Sequence, residues 1–118
     1  MARIAVVVLA DIESHADQGR GTNALELAKE AQEAGDEVAI VFDGAGTRWV
    51  PKLADPQSKM NPVFAQLEEN VIGACSFCAS AFHVKDEIKQ TNVKLLSDYE
   101  GHPSLRGLIA DGYQLVTF

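Results

Sequence analysis

The stretch Arg3-Ile4-Ala5-Val6-Val7-Val8-Leu9 is rich in β-branched residues and almost continuously apolar. That is the pattern of a strand buried on both faces, as strands of a parallel sheet are. A second such run, Val38-Ala39-Ile40-Val41-Phe42, lies within Glu37 to Asp43. Between the two, Ala24, Leu27, Ala28, Ala31 and Ala34 fall at helical spacing, with Thr22 or Asn23 as the cap and Gly35 as the stop. Asp11 to Gly21 reads as a polar loop, so the opening third of the chain is one βαβ unit.

The alternation continues to the end of the chain. Gly44-Ala45-Gly46 reads as a flexible turn, and Thr47 to Asn61, with Pro51 and Pro56, as a short helix plus an irregular excursion. A helix through Val63, Phe64 and Leu67 follows, then a short third strand, Val71 to Ala74. Phe77, Ala81, Val84 and Ile88 trace the buried stripe of one helix beyond it. Val93 to Leu96 is a fourth strand, Pro103 to Ile109 a last helix closed by Gly112, and Tyr113 to Phe118 a fifth strand. The expected fold is a single domain spanning residues 1–118, an α/β/α three-layer sandwich on a five-stranded, mainly parallel sheet.

Ten basic and seventeen acidic side chains give a net charge of −7, which disfavours nucleic acid and anionic membrane surfaces as partners. Eight of the acidic residues lie between Asp11 and Glu37 and read as a solvated helix face. The apolar run Ile4 to Ala10 is too short to span a membrane and has no small-residue cleavage site, so the chain is expected in the cytoplasm. In a reducing compartment Cys75 and Cys78, three positions apart, suggest thiolate, redox or metal chemistry before a structural disulfide.

Loops leaving the carboxyl ends of parallel strands share one edge of the sheet, and ligands bind there. The first three such loops contribute Asp11, Glu13, Ser14 and His15, then Asp43 to Thr47, then Cys75 to Cys78. Cys75 falls at the start of a helix, where free N–H groups and the helix dipole favour a thiolate and predict a lowered pKa. The competing reading makes both cysteines small buried hydrophobes in a strand-to-helix corner. Cys78, one turn on, is either core or a resolving thiol.

Zinc on this CxxC meets a geometric obstacle. On one helix His83 would lie about 12 Å beyond Cys75 and about 140° around from Cys78, so His15 or a neighbouring subunit would have to complete the ligands. Gly44-Ala45-Gly46 lacks the third glycine of a dinucleotide fingerprint. Gly19-Arg20-Gly21-Thr22 lacks the lysine of a P-loop and reads as a mobile loop. No cofactor is expected. Arg48 and Trp49 read as a packing or subunit-contact feature.

The run Ile72-Gly73-Ala74-Cys75-Ser76-Phe77-Cys78-Ala79, with Val84 beyond it, and the ending from Ser104-Leu105-Arg106-Gly107 to Leu115-Val116-Thr117-Phe118 resemble the DsrE/DsrF-like family of sulfur-relay and related small proteins. The likeness implies a five-stranded parallel sheet in a three-layer sandwich, assembled into homo-oligomers or hetero-oligomers. It also implies that Cys75 carries sulfur as a persulfide, taken from one protein and passed to another. Relay members tend to place an Arg-Gly pair before the valine, whereas here Phe82-His83 precedes Val84, and Cys78 is not part of the relay pattern. The expected catalytic residues are therefore Cys75 as carrier and Cys78 as a tuning or resolving thiol. The alternatives are a non-enzymatic oligomeric module binding a small ligand or partner protein, and a dithiol oxidoreductase. For the latter, no proline is clearly placed as in a thioredoxin.

Overall fold

A computed structural model describes all of residues 1–118. The elements are β1 (Arg3–Val8), α1 (His15–Glu33), β2 (Glu37–Phe42), a 3₁₀ turn (Gly44–Arg48), α2 (Trp49–Ala54), α3 (Asn61–Leu67) and β3 (Val71–Cys75). They continue with α4 (Ser76–Ala81), α5 (Lys85–Lys89), β4 (Leu95–Leu96), α6 (Leu105–Ala110) and β5 (Gln114–Thr117). All strand pairs are parallel, in the order β4-β3-β2-β1-β5. The result is the expected three-layer α/β sandwich. None of its helices is long and apolar enough to cross a membrane.

The pleat sends alternate side chains to opposite faces. Val6, Val8, Val38, Ile40, Phe42 and Ala74 build the main core with Ala24, Leu25 and Ala28 of α1, Trp49 and Leu53 of α2, Phe64 of α3 and Ile88 of α5. Ala5, Val7, Ala39, Val41 and Cys75 point to the other face and are also buried. Burial on both sides is why β1 and β2 read as unbroken apolar runs.

Three local expectations are corrected. Helix α1 begins at His15 and absorbs most of the segment read as a loop, because the Ser14 Oγ accepts the Asp17 N–H at 3.0 Å and caps it. Gly19 to Thr22 therefore lies inside α1 and is no mobile loop. Gly21 is tolerated mid-helix because the Trp49 indole lies where its Cβ would be. Gly44 to Gly46 is an ordered 3₁₀ turn, not a flexible one. Asp43 Oδ1 accepts the Gly44 N–H at 2.8 Å, and buried Gly46 lies against the Val8 backbone. Gly46→Ala would drive a methyl into the Val8 carbonyl, and we expect a loss of about 3 kcal/mol or more in a denaturant-unfolding measurement.

The helix expected from Phe77 to Ile88 is two helices. His83, at φ +61°, ends α4 in the left-handed region, and the break resets the helical phase. Ile88 still reaches the core and Val84 packs against it, but Phe77 leaves the stripe and is 57% exposed, with Ala79 buried in its place.

Candidate functional site

Because β2, β3 and β4 are neighbours in the sheet, the segments leaving their carboxyl ends meet. Asp43 follows β2, Cys75 ends β3, and His102 lies in the segment after β4. With Cys78 in α4 they form one cluster, in which one donor atom from each of the four side chains lies within 4.8 Å of the others.

Each member is held by neighbouring groups. Cys75 caps α4, its Sγ accepting the Cys78 N–H at 3.3 Å, and that sulfur lies 3.3 Å from His102 Nδ1 and 3.8 Å from the Gly101 carbonyl oxygen. The Cys78 thiol donates to Asp43 Oδ1 at 3.5 Å, an oxygen already fixed by the Gly44 N–H. His102 closes a tight turn with Tyr99, paired through N–H···O bonds of 2.9 and 2.8 Å. Its central residues Glu100 and Gly101 have φ of +50° and +85°, the double positive φ of a type I′ turn. The Gly101 carbonyl accepts the Phe77 N–H at 2.9 Å, and the Phe77 and His102 rings lie 4.8 Å apart, so the turn is pinned to α4.

The cluster does not favour a thiolate in the way the sequence suggested. Burial pushes the Cys75 thiol up to about 12, and the neighbouring Cys78 thiol and the Asp43 charge push the same way, against the single Cys78 N–H that favours the anion. Helix α4 has six residues, and its start does not outweigh removal from water. Cys75 therefore rests as a thiol whose proton can point to His102 Nδ1 or to the Gly101 carbonyl. When Nδ1 accepts, the imidazole's own proton sits on Nε2.

Other residues expected at this edge have different occupations. Arg48 ion-pairs Asp11 and Glu13, each at 2.7 Å. Ser14 caps α1, the Thr47 hydroxyl donates to the Gly44 carbonyl at 2.9 Å, and His15 and His83 are exposed outside the cluster. Sequence reasoning missed His102. It reaches the same edge from the segment after the fourth strand, and the carboxyl end of that strand is the signal that could have found it.

The corner is not a deep cavity. A hollow of about 470 Å³ lined by Ser76, Phe77, Ser80 and Gly101 opens beside it. Another of about 470 Å³, between α2, α3 and α5, touches none of the four residues.

The sequence model of the DsrE/DsrF-like family matches residues 5–118. An uncharacterized protein of Methanocaldococcus jannaschii is 35% identical over 92 residues, covering 78% of this chain and 74% of that protein. No solved structure matches.

Proposed function

Because the chain belongs to the DsrE/DsrF-like family, we propose that it is a thiol-based sulfur carrier with the persulfide on Cys75. The observation that supports this reading best is the 3.3 Å approach of His102 Nδ1 to Cys75 Sγ at the carboxyl edge of the sheet. A thiol that rests protonated needs a proton acceptor in reach as sulfur arrives, and His102 is that acceptor.

The step balances without an outside oxidant. Cys75 sulfur bonds to the outer sulfur of a donor persulfide while the donor's S–S bond breaks. The Cys75 proton passes to His102 and then to the departing donor sulfur, which leaves as a thiol. Passing the outer sulfur to an acceptor thiol repeats the exchange in the other direction. Cys78 tunes the site, its N–H on the Cys75 sulfur and its thiol on Asp43. It is also placed to resolve a persulfide into a disulfide with release of sulfide. The unit acting this way is the whole chain as one domain, in a homo-oligomer within a reducing cytoplasm, with donor and acceptor proteins as its partners.

Cys75 is 0% exposed, and that favours a second reading, a non-enzymatic oligomeric module in which the cysteines only pack. Intact mass after incubating the reduced, chelator-treated protein with glutathione persulfide separates the two. Sulfur carriage predicts a gain of one sulfur that survives in Cys78→Ser and disappears in Cys75→Ser. No gain on either the wild type or Cys78→Ser, which has no resolving thiol, would leave the packing module.

A further inference from the structure

The geometry points to a second use of the same corner, a tetrahedral site for one thiophilic divalent cation, Zn²⁺ before others, with Cys75, Cys78, His102 and Asp43 as the ligands. This inference stands apart from sulfur carriage and needs no persulfide.

Two sulfurs, one imidazole nitrogen and one carboxylate oxygen are the donor types that zinc takes, whereas Mg²⁺ and Ca²⁺ prefer all-oxygen shells. Zinc bonds of about 2.3 Å to sulfur and about 2.0–2.2 Å to nitrogen and oxygen, set tetrahedrally, hold neighbouring ligand atoms about 3.3–3.8 Å apart. In the cluster Cys75 Sγ and His102 Nδ1 are 3.3 Å apart, Cys78 Sγ and Asp43 Oδ1 are 3.5 Å apart, and no pair exceeds 4.8 Å. The widest pair closes by about 1 Å on binding, within the reach of a side-chain rotation.

The obstacle in the sequence was that one helix cannot gather Cys75, Cys78 and His83. The fold removes it by bringing the third and fourth ligands from the loops after β4 and β2.

The ligands are also oriented from behind, as metal ligands commonly are. The Gly44 N–H holds Asp43 Oδ1, and the Phe77 ring and the Tyr99 pairing hold His102.

The charge around the site fits a cation as well. The four salt bridges of the chain join Arg3 to Glu37, Arg20 to Asp17, and Arg48 to Asp11 and Glu13. None involves Asp43, and no lysine or arginine hydrogen-bonds to any of the four residues. Binding releases one proton from each thiol and changes no oxidation state. A bound ion occupies the Cys75 sulfur, so metal and incoming sulfur compete for that atom at this corner.

The test is a Co²⁺ titration of the reduced, chelator-treated full chain with no sulfur donor present. The expected result is one Co²⁺ per chain, with the intense visible bands of tetrahedral cobalt and a near-ultraviolet thiolate-to-cobalt band, both bleached by equimolar Zn²⁺. His102→Ala and Asp43→Asn should each weaken binding by more than the roughly 10–100-fold lost with a group that merely orients a ligand. His15→Ala and His83→Ala should bind as the wild type does.

Weak octahedral absorption without a thiolate band, half an ion per chain, or wild-type binding by His102→Ala and Asp43→Asn would overturn the inference. The wild-type spectrum reads the coordination directly, so the outcome does not depend on any variant folding. Failure here leaves sulfur uptake in chelator untouched, and failure of sulfur uptake leaves the cobalt spectrum untouched.

Discussion

His102→Ala is expected to slow the loading of sulfur onto Cys75 by a factor on the order of 10²–10⁴, the usual contribution of one positioned acid–base group. The measurement is the rate of mass gain on reduced protein in the presence of chelator, so that metal occupancy cannot disguise the result. The reason lies in the resting state of the thiol. Burial and the Asp43 charge hold it protonated, and His102 Nδ1 at 3.3 Å is the group in reach that can take the proton as the new S–S bond forms. His102→Gln separates proton transfer from hydrogen bonding, because glutamine can accept the S–H bond but cannot carry the proton away. It should be as slow as alanine. Exposed His83, outside the cluster, provides the control, and His83→Ala should load at the wild-type rate. A wild-type rate in His102→Ala would remove the histidine from the mechanism.

Trp49→Ala should cost about 3–5 kcal/mol of folding stability, read as a lower urea midpoint at unchanged slope. Trp49 is 1% exposed and is the bulkiest of the fully buried side chains. Its ring lies against Gly21 of α1, and its Nε1–H donates to the carbonyls of Ala10 and Asp11 at 3.0 and 3.2 Å. One residue therefore ties α1, the segment after β1 and the 3₁₀ turn together. Truncation removes the packing and also leaves the Ala10 carbonyl without its buried donor. That 3₁₀ turn is capped by Asp43, so the variant should also loosen the cluster. A loss below about 1 kcal/mol would show that the contact is replaced by repacking or water.

β1 and β2 were legible because burial on both faces writes an unambiguous pattern, seen in Ala5 to Val8 and Val38 to Phe42. The start of α1 was not, because Gly19 and Gly21 look like helix breakers until the indole that needs the space at Gly21 is known, and that indole is 28 positions away in the chain. The break after Ala81 was hidden for a different reason. His83 adopts a left-handed conformation that nothing in its residue type demands.

The site was legible in half. The CxxC and its place at the end of β3 could be read locally, whereas its convergence with His102 and Asp43 depends on β4, β3 and β2 lying side by side, which is a property of strand order. The expected thiolate failed on magnitude. One amide N–H at the start of a six-residue helix is weaker than full burial beside a carboxylate.

The measurement that bears most directly on the central claim is peptide mapping by mass spectrometry of wild-type protein loaded by a persulfide donor in chelator, with free thiols blocked before digestion. Sulfur carriage on Cys75 predicts one extra sulfur on the peptide containing both cysteines, with fragment ions placing it on Cys75 and the blocking group on Cys78. An unmodified Cys75, or an extra sulfur confined to Cys78, would contradict it.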